Sequence, residues 1–124
     1  MKLYQKIANC LSVIAALNVL HTPDDVLHNW KEDLNKLCKQ LPSGSGWDCG
    51  TKLCECSTPR RLVFTGSYHH MNMDGFYDGW TDHDIIVTPS LIHDFDLRIT
   101  GRDRNDVKDY LHDLFHHVLN QEVE

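Results

Sequence analysis

Apolar residues near the start of the chain recur at helical spacing. Leu3, Ile7, Leu11, Ile14 and Leu17 mark one face of residues 3–20, which predicts an amphipathic helix. His21, Thr22 and Pro23 then break the pattern. Thr22 reads as an N-cap, Pro23 as the first residue of a second helix, and Asp24 and Asp25 suit its positive end. That helix runs to Gln40 with Val26, Leu27, Trp30, Leu34, Leu37 and Leu41 inward. So short a connection predicts an antiparallel helical hairpin.

Pro42 closes this section, and residues 42–60 hold no sustained period, so they read as a long ordered loop. Beyond Arg61 the period shortens. Residues 62–65 and 68–70 read as a first strand, two Asp-Gly pairs follow at 74–75 and 78–79, and residues 80–88 form a second strand that stops at Pro89. Residues 95–100 alternate Phe95, Leu97 and Ile99 with Asp96, Arg98 and Thr100, a third strand. Gly101 turns the chain into a last helix, capped by Asp103 or Asn105. Its inward stripe is Val107, Tyr110, Leu111, Leu114, Phe115, Val118 and Leu119. The expected fold class is α+β: an N-terminal antiparallel helical hairpin, a small antiparallel three-stranded meander, and a C-terminal helix packed on the sheet. One domain is expected over 1–124, made of the hairpin (1–41), the ordered loop (42–60), the meander (61–100) and the last helix (101–120).

Composition narrows the function classes. A chain of 124 residues, 41% hydrophobic and 24% charged, builds a core without disulfides or a structural metal. Its 12 Lys and Arg against 18 Asp and Glu leave a net charge of −6, so non-specific DNA binding is a poor expectation. Five cysteines cannot all pair within one chain, and Lys6, Asn9, Ser12 and Asn18 interrupt the run that would otherwise resemble a secretory signal. No apolar run is long enough to span a bilayer. The expectation is a cytoplasmic protein, with no membrane contact and its thiols reduced.

Candidate chemistry concentrates in three places. At the start of the last helix, Arg102, Arg104 and the N–H groups around Asn105 suit a phosphate or carboxylate. The plain alternative is a solvated turn whose arginines pair with Asp103, Asp106 or Asp109. Around the hairpin turn, Tyr68, His69, His70, Phe76, Tyr77, Trp80 and His83 crowd together. Phe76 and Tyr77 at the tip suit a partner contact or base stacking, whereas Tyr68 and Trp80 pairing across the strands would only stabilise the hairpin. A turn centred on residues 75–76 would also bring His69 near His83, as an acid and a base. In the loop, glycines near Trp47 free backbone N–H groups, and Trp47 supplies a flat ring.

Metal and nucleophile signals are thin. His112 and His116 are four apart without a zincin motif, and Cys49, Cys54 and Cys56 lack zinc-ribbon spacing. There is no nucleophile elbow and no phosphate-binding Gly-Lys loop. No metal, cofactor or catalytic residue is therefore assigned.

Three segments, LPSGSGWD (41–48) with GTK (50–52), YHHM (68–71) through YDGWTDH (77–83), and FDLRITGRDRND (95–106) with KDY (108–110), together resemble a family of small phage and prophage proteins. The resemblance implies a phage context rather than an activity. By analogy of context and size, such proteins blunt host defence, either by sequestering cyclic-nucleotide signals or by occluding an effector through protein contact. The leading expectation is a non-enzymatic sponge for a small anionic ligand, with a cyclic nucleotide as the leading candidate. Arg102, Arg104 and Asn105 would take phosphate. Tyr77, Trp80 or Trp47 would stack on the base, and His69, His70 or His83 would bond to base or ribose. A homo-oligomer assembled through the helical hairpin, whose Ala15, Ala16 and Leu20 extend the apolar stripe, would complete the walls. The rival is a protein–protein inhibitor anchored by Phe76 and Tyr77; a small nucleotide hydrolase is a third class.

Overall fold

In the computed structural model, which describes residues 1–43, 46–47, 51–90 and 94–123, the chain runs through seven elements. They are α1 (Leu3–Val19), α2 (Asp24–Cys38), β1 (Lys52–Leu53), β2 (Leu62–Met71), β3 (Tyr77–Pro89), β4 (Phe95–Ile99) and α3 (Asn105–Leu119). The class is α+β, and the sheet is antiparallel in the order β1-β2-β3-β4. It has four strands rather than three. The extra strand lies within residues 42–60, where Lys52 pairs with Thr65 and Leu53 with Phe64. Two residues are too few to leave a period in the sequence; pairing with β2 is what defines β1.

Of the α1 stripe, Leu3 and Ile7 are buried beside Tyr4 and Cys10, while the second half of the helix is increasingly exposed. α2 has no fully buried residue. Its expected inward face is only an outer layer: Leu34, Leu37 and Cys38 pack partly on the core, and Val26 is exposed. Pro23, not Thr22, stands at the N-cap of α2, without a side-chain cap. α3 buries Val107, Leu111, Phe115 and Leu119, one residue per turn or so, as its period predicts. Tyr110, expected in that stripe, is exposed.

The two ends of the chain are tied together. Leu3 N–H donates to the Gln121 carbonyl at 2.9 Å and Val123 N–H to that of Met1 at 3.0 Å. Lys2 reaches Asp94 at 2.9 Å and the Asn120 side chain at 3.1 Å.

The β2–β3 ribbon positions the candidate site. Phe64 pairs with Ile85, Gly66 with His83 and Tyr68 with Thr81; the alternate pairs are Thr65–Asp84, Ser67–Asp82 and His69–Trp80. Side chains alternate across a sheet, so the first set shares the core face and the second the opposite face. His83 therefore stands opposite Gly66 rather than near His69, and Trp80 opposite His69 rather than Tyr68. The cause is the turn. The Asn72 side chain accepts the N–H groups of Asp74 and Phe76, each at 3.0 Å, closing an Asx-type turn. That centres the hairpin before residue 75 and inserts an irregularity between His69 and Met71.

Cys54 and Cys56 lie side by side just after β1, with Cα atoms 5.2 Å apart, and Cys10 and Cys38 are free thiols. Burial pushes the Cys38 thiol up to about 11, with Cys10 adding to it. No helix among the described residues is long and apolar enough to cross a membrane. Gly44, Ser45, Asp48, Cys49 and Gly50 lie outside the described residues, as do readings that fall on them.

Candidate functional site

The most elaborate polar arrangement joins β2, β3 and the start of α3. His83 points into the core, and its side chain is 0% exposed. Its Nδ1 lies 2.6 Å from the Thr100 carbonyl oxygen, and its Nε2 lies 3.0 Å from Oδ2 of Asp103, whose side chain is 4% exposed. The same oxygen lies 3.3 Å from Nε2 of His70, which is also 2.9 Å from the Thr81 hydroxyl. The other Asp103 oxygen accepts the Arg104 backbone N–H at 2.8 Å. One carboxylate thus clasps two histidines and a helix start.

The electrostatics follow from who donates. A carbonyl only accepts, so the contact at Thr100 is made by an N–H of the His83 ring. Burial pushes the Asp103 carboxyl up. Hydrogen bonds from His83 and the Arg104 N–H, with the charges of His70 and His83, outweigh that and leave it below the ordinary range.

Two glycines make room for this packing. Gly101 has φ +103°, and a Cβ there would stand 2.6 Å from the Asp82 carbonyl oxygen and 2.8 Å from His83 Nδ1. A Cβ on Gly66 would overlap the Trp47 indole. Trp47 itself is a core residue, 2% exposed, edge-on to Phe115 at 5.7 Å and 6.2 Å from the His83 ring. Its indole N–H donates to Thr51 at 2.8 Å, so its polar atom is already satisfied.

The structure divides the residues expected to share one site. His70 and His83 gather around Asp103, and Trp47 packs in the core beside the His83 ring. Arg102 and Arg104 flank that carboxylate on the surface, where Arg104 lies 3.4 Å from Asp106 and Arg102 has no ion pair among the described residues. Asn105 is the first helical residue, not the cap; Arg104 holds the cap position, without a side-chain bond. His69, Tyr77 and Trp80 belong to a different surface, at the far end of the ribbon. There the Tyr77 and Trp80 rings stack at 6.5 Å and His69 lies 5.6 Å from Tyr77. Sequence reasoning treated Asp103 as a cap or an arginine partner and missed it as the hub. Only the β3–β4 register brings Thr100 and Asp103 to His83.

His112 and His116 stack at 6.1 Å on α3, and no group of three or more potential metal ligands occurs among the described residues.

The hairpin end exposes a group of large apolar side chains. Met71 (68%), Met73 (104%), Phe76 (70%), Tyr77 (56%) and Trp80 (60%) all stand in solvent. Between Arg61 and Arg98 the chain has no Lys or Arg, but Asp74, Asp78, Asp82, Asp84, Asp94 and Asp96. On the face of Trp80, Asp82 bonds the Ser67 hydroxyl at 2.5 Å.

Comparison with known proteins returned no matching family model, no matching curated protein and no matching solved structure.

Proposed function

We propose that the protein is a non-enzymatic binding protein that docks on a protein partner through the end of the β2–β3 hairpin and blocks that partner's function. The observation that carries this reading is the set of five large apolar side chains exposed at one hairpin end. Monomers rarely leave such a patch in water without use, and aromatic anchors of this kind dominate binding energy at interfaces. Asp74, Asp78 and Asp82, with no Lys or Arg between Arg61 and Arg98, add charge selection at this end: the partner is basic around an apolar cleft, and steering by opposite charge speeds the encounter. The phage resemblance adds a context, a cytoplasmic host defence effector as the partner.

Sequestration of a small anionic ligand such as a cyclic nucleotide is the second reading. It is favoured by the exposed Arg102 guanidinium, which has no ion pair among the described residues, beside the α3 N-terminus. Asp103 and Asp106 oppose it, because their carboxylates occupy the same helix start. Homo-oligomer formation through the α1–α2 end, where Val19 and Leu20 are exposed, belongs to the same proposal.

Native mass spectrometry of the protein purified from defence-expressing cells separates these readings. A stable complex with one host protein, lost in Phe76→Ala/Tyr77→Ala and kept in Arg104→Ala, is the expected result. An intact nucleotide released by heat, lost in Arg104→Ala, would replace the docking reading with sequestration. The mass of the unliganded species gives the oligomeric state directly.

A further inference from the structure

A groove of about 550 Å³ lies between the two N-terminal helices, within the size range of small-molecule sites. It joins the first half of α1 to the second half of α2, so the helices run antiparallel. Cys10 and Leu37 give it an apolar floor, and Trp30, half-buried, supplies a ring. Around them stand Lys6, Asp33 and Lys36, with the side-chain amides of Asn9 and Gln40.

The charge of this rim runs against that of the molecule. The whole chain carries −6, yet the groove is lined by two lysine side chains and one carboxylate, beside Met1, whose ammonium is taken up by Glu122. Neither Lys6 nor Lys36 has an ion pair among the described residues. The Lys6 charge reaches inward as well. Burial raises the Cys10 thiol at the floor and Asp33 adds to it, while Lys6 opposes both. Lysines act as mobile point charges suited to phosphate oxygens, a tryptophan face suits a heterocycle, and amides suit its hydrogen-bonding edge.

We propose that the groove between α1 and α2 is a binding site for a small aromatic phosphate of the nucleoside monophosphate class. Trp30 takes the base, Lys6 and Lys36 take the phosphate, Asn9 and Gln40 bond the base edge, and Asp33 accepts from a sugar hydroxyl. This stands apart from the hairpin reading and puts a small-ligand site on the helices rather than at the start of α3.

The test uses the full chain and three probes: adenosine 5′-monophosphate, adenosine and inorganic phosphate. Indole N–H resonances are followed by NMR, with Trp30 assigned through Trp30→Phe. The expected result is a saturable shift of the Trp30 signal by the monophosphate, with each half-molecule binding about tenfold more weakly or worse. Lys6→Ala/Lys36→Ala is expected to lose about tenfold in affinity with an unchanged melting temperature. Lys36→Glu, at an exposed position, provides a second variant should the double one fold poorly. No saturable shift at millimolar monophosphate, equal affinity in the charge variants, or a shift confined to Trp80 would overturn the assignment. Loss of hairpin docking in Phe76→Ala/Tyr77→Ala would leave it standing.

Discussion

Gly101 decides whether His83 fits. Its backbone lies in a left-handed region that side chains avoid, and the space where a Cβ would go is already filled by the Asp82 carbonyl and the His83 ring. Gly101→Ala therefore combines backbone strain with a steric overlap that neither strand can relieve cheaply. Its expected cost is about 2 kcal/mol or more, read from urea denaturation midpoints. Gly75 and Gly79 also have positive φ, yet a Cβ there meets nothing within 4 Å. The same substitution at Gly75 is expected to carry only the backbone term, so the difference between the two variants measures the close approach to His83.

The turn of the β2–β3 hairpin is closed in part by one side chain. Asn72 holds two backbone N–H groups of the turn, and beyond the irregularity between His69 and Met71 the ladder sets His69 opposite Trp80 and Gly66 opposite His83. Asn72→Ala removes both bonds at an exposed site, where water compensates in part. The expected loss is about 1 kcal/mol, with faster amide exchange at residues 70–78 and unchanged exchange in α3. Further along, the exposed tip contributes little to the fold. Phe76→Ala/Tyr77→Ala is expected to change stability by no more than about 0.5 kcal/mol, which makes the pair a clean probe of docking.

Asp103 links three parts of the molecule, and that makes overall stability depend on pH. Its folded-state carboxyl titrates below the ordinary range because His83, the Arg104 N–H and His70 favour the ionised form over the opposing cost of burial. A depressed carboxyl contributes stability that is present above its unfolded value, near pH 4, and is lost as pH falls toward the folded one. The titratable groups facing it are His70 from β2 and His83 from β3. Asp103→Asn keeps the size and removes the charge. The variant is expected to be about 2 kcal/mol less stable at neutral pH, with the gap narrowing as pH drops below about 4. Melting temperatures of both proteins from pH 7 to pH 3 test this. Parallel curves would mean that the clasp does not titrate. The Lys2–Asp94 pair also holds its aspartate low, but its exposed setting makes it a weak contributor by comparison.

Periodicity alone was enough for the three helices and the three longer strands, because burial of one face imposes a repeat on the residues that form it. Leu3 and Ile7, or Leu111 and Phe115, announce their elements without help from the rest of the chain. The exposed Phe76 and Tyr77 were legible for the opposite reason: a tip between two Asp-Gly turns has no core to enter. What the chain could not announce depends on residues far apart in sequence. β1 exists only as a partner of Thr65 and Phe64. Asp103 became a hub only when the β3–β4 register set Thr100 beside His83, since a carboxylate between two arginines looks in sequence like an ordinary surface pair. Trp47 and His83 looked like ligand contacts because aromatic and imidazole groups serve both roles, and tertiary packing made them core. The groove at Trp30 needed two helices to face each other, and a cavity, unlike a stripe, has no period.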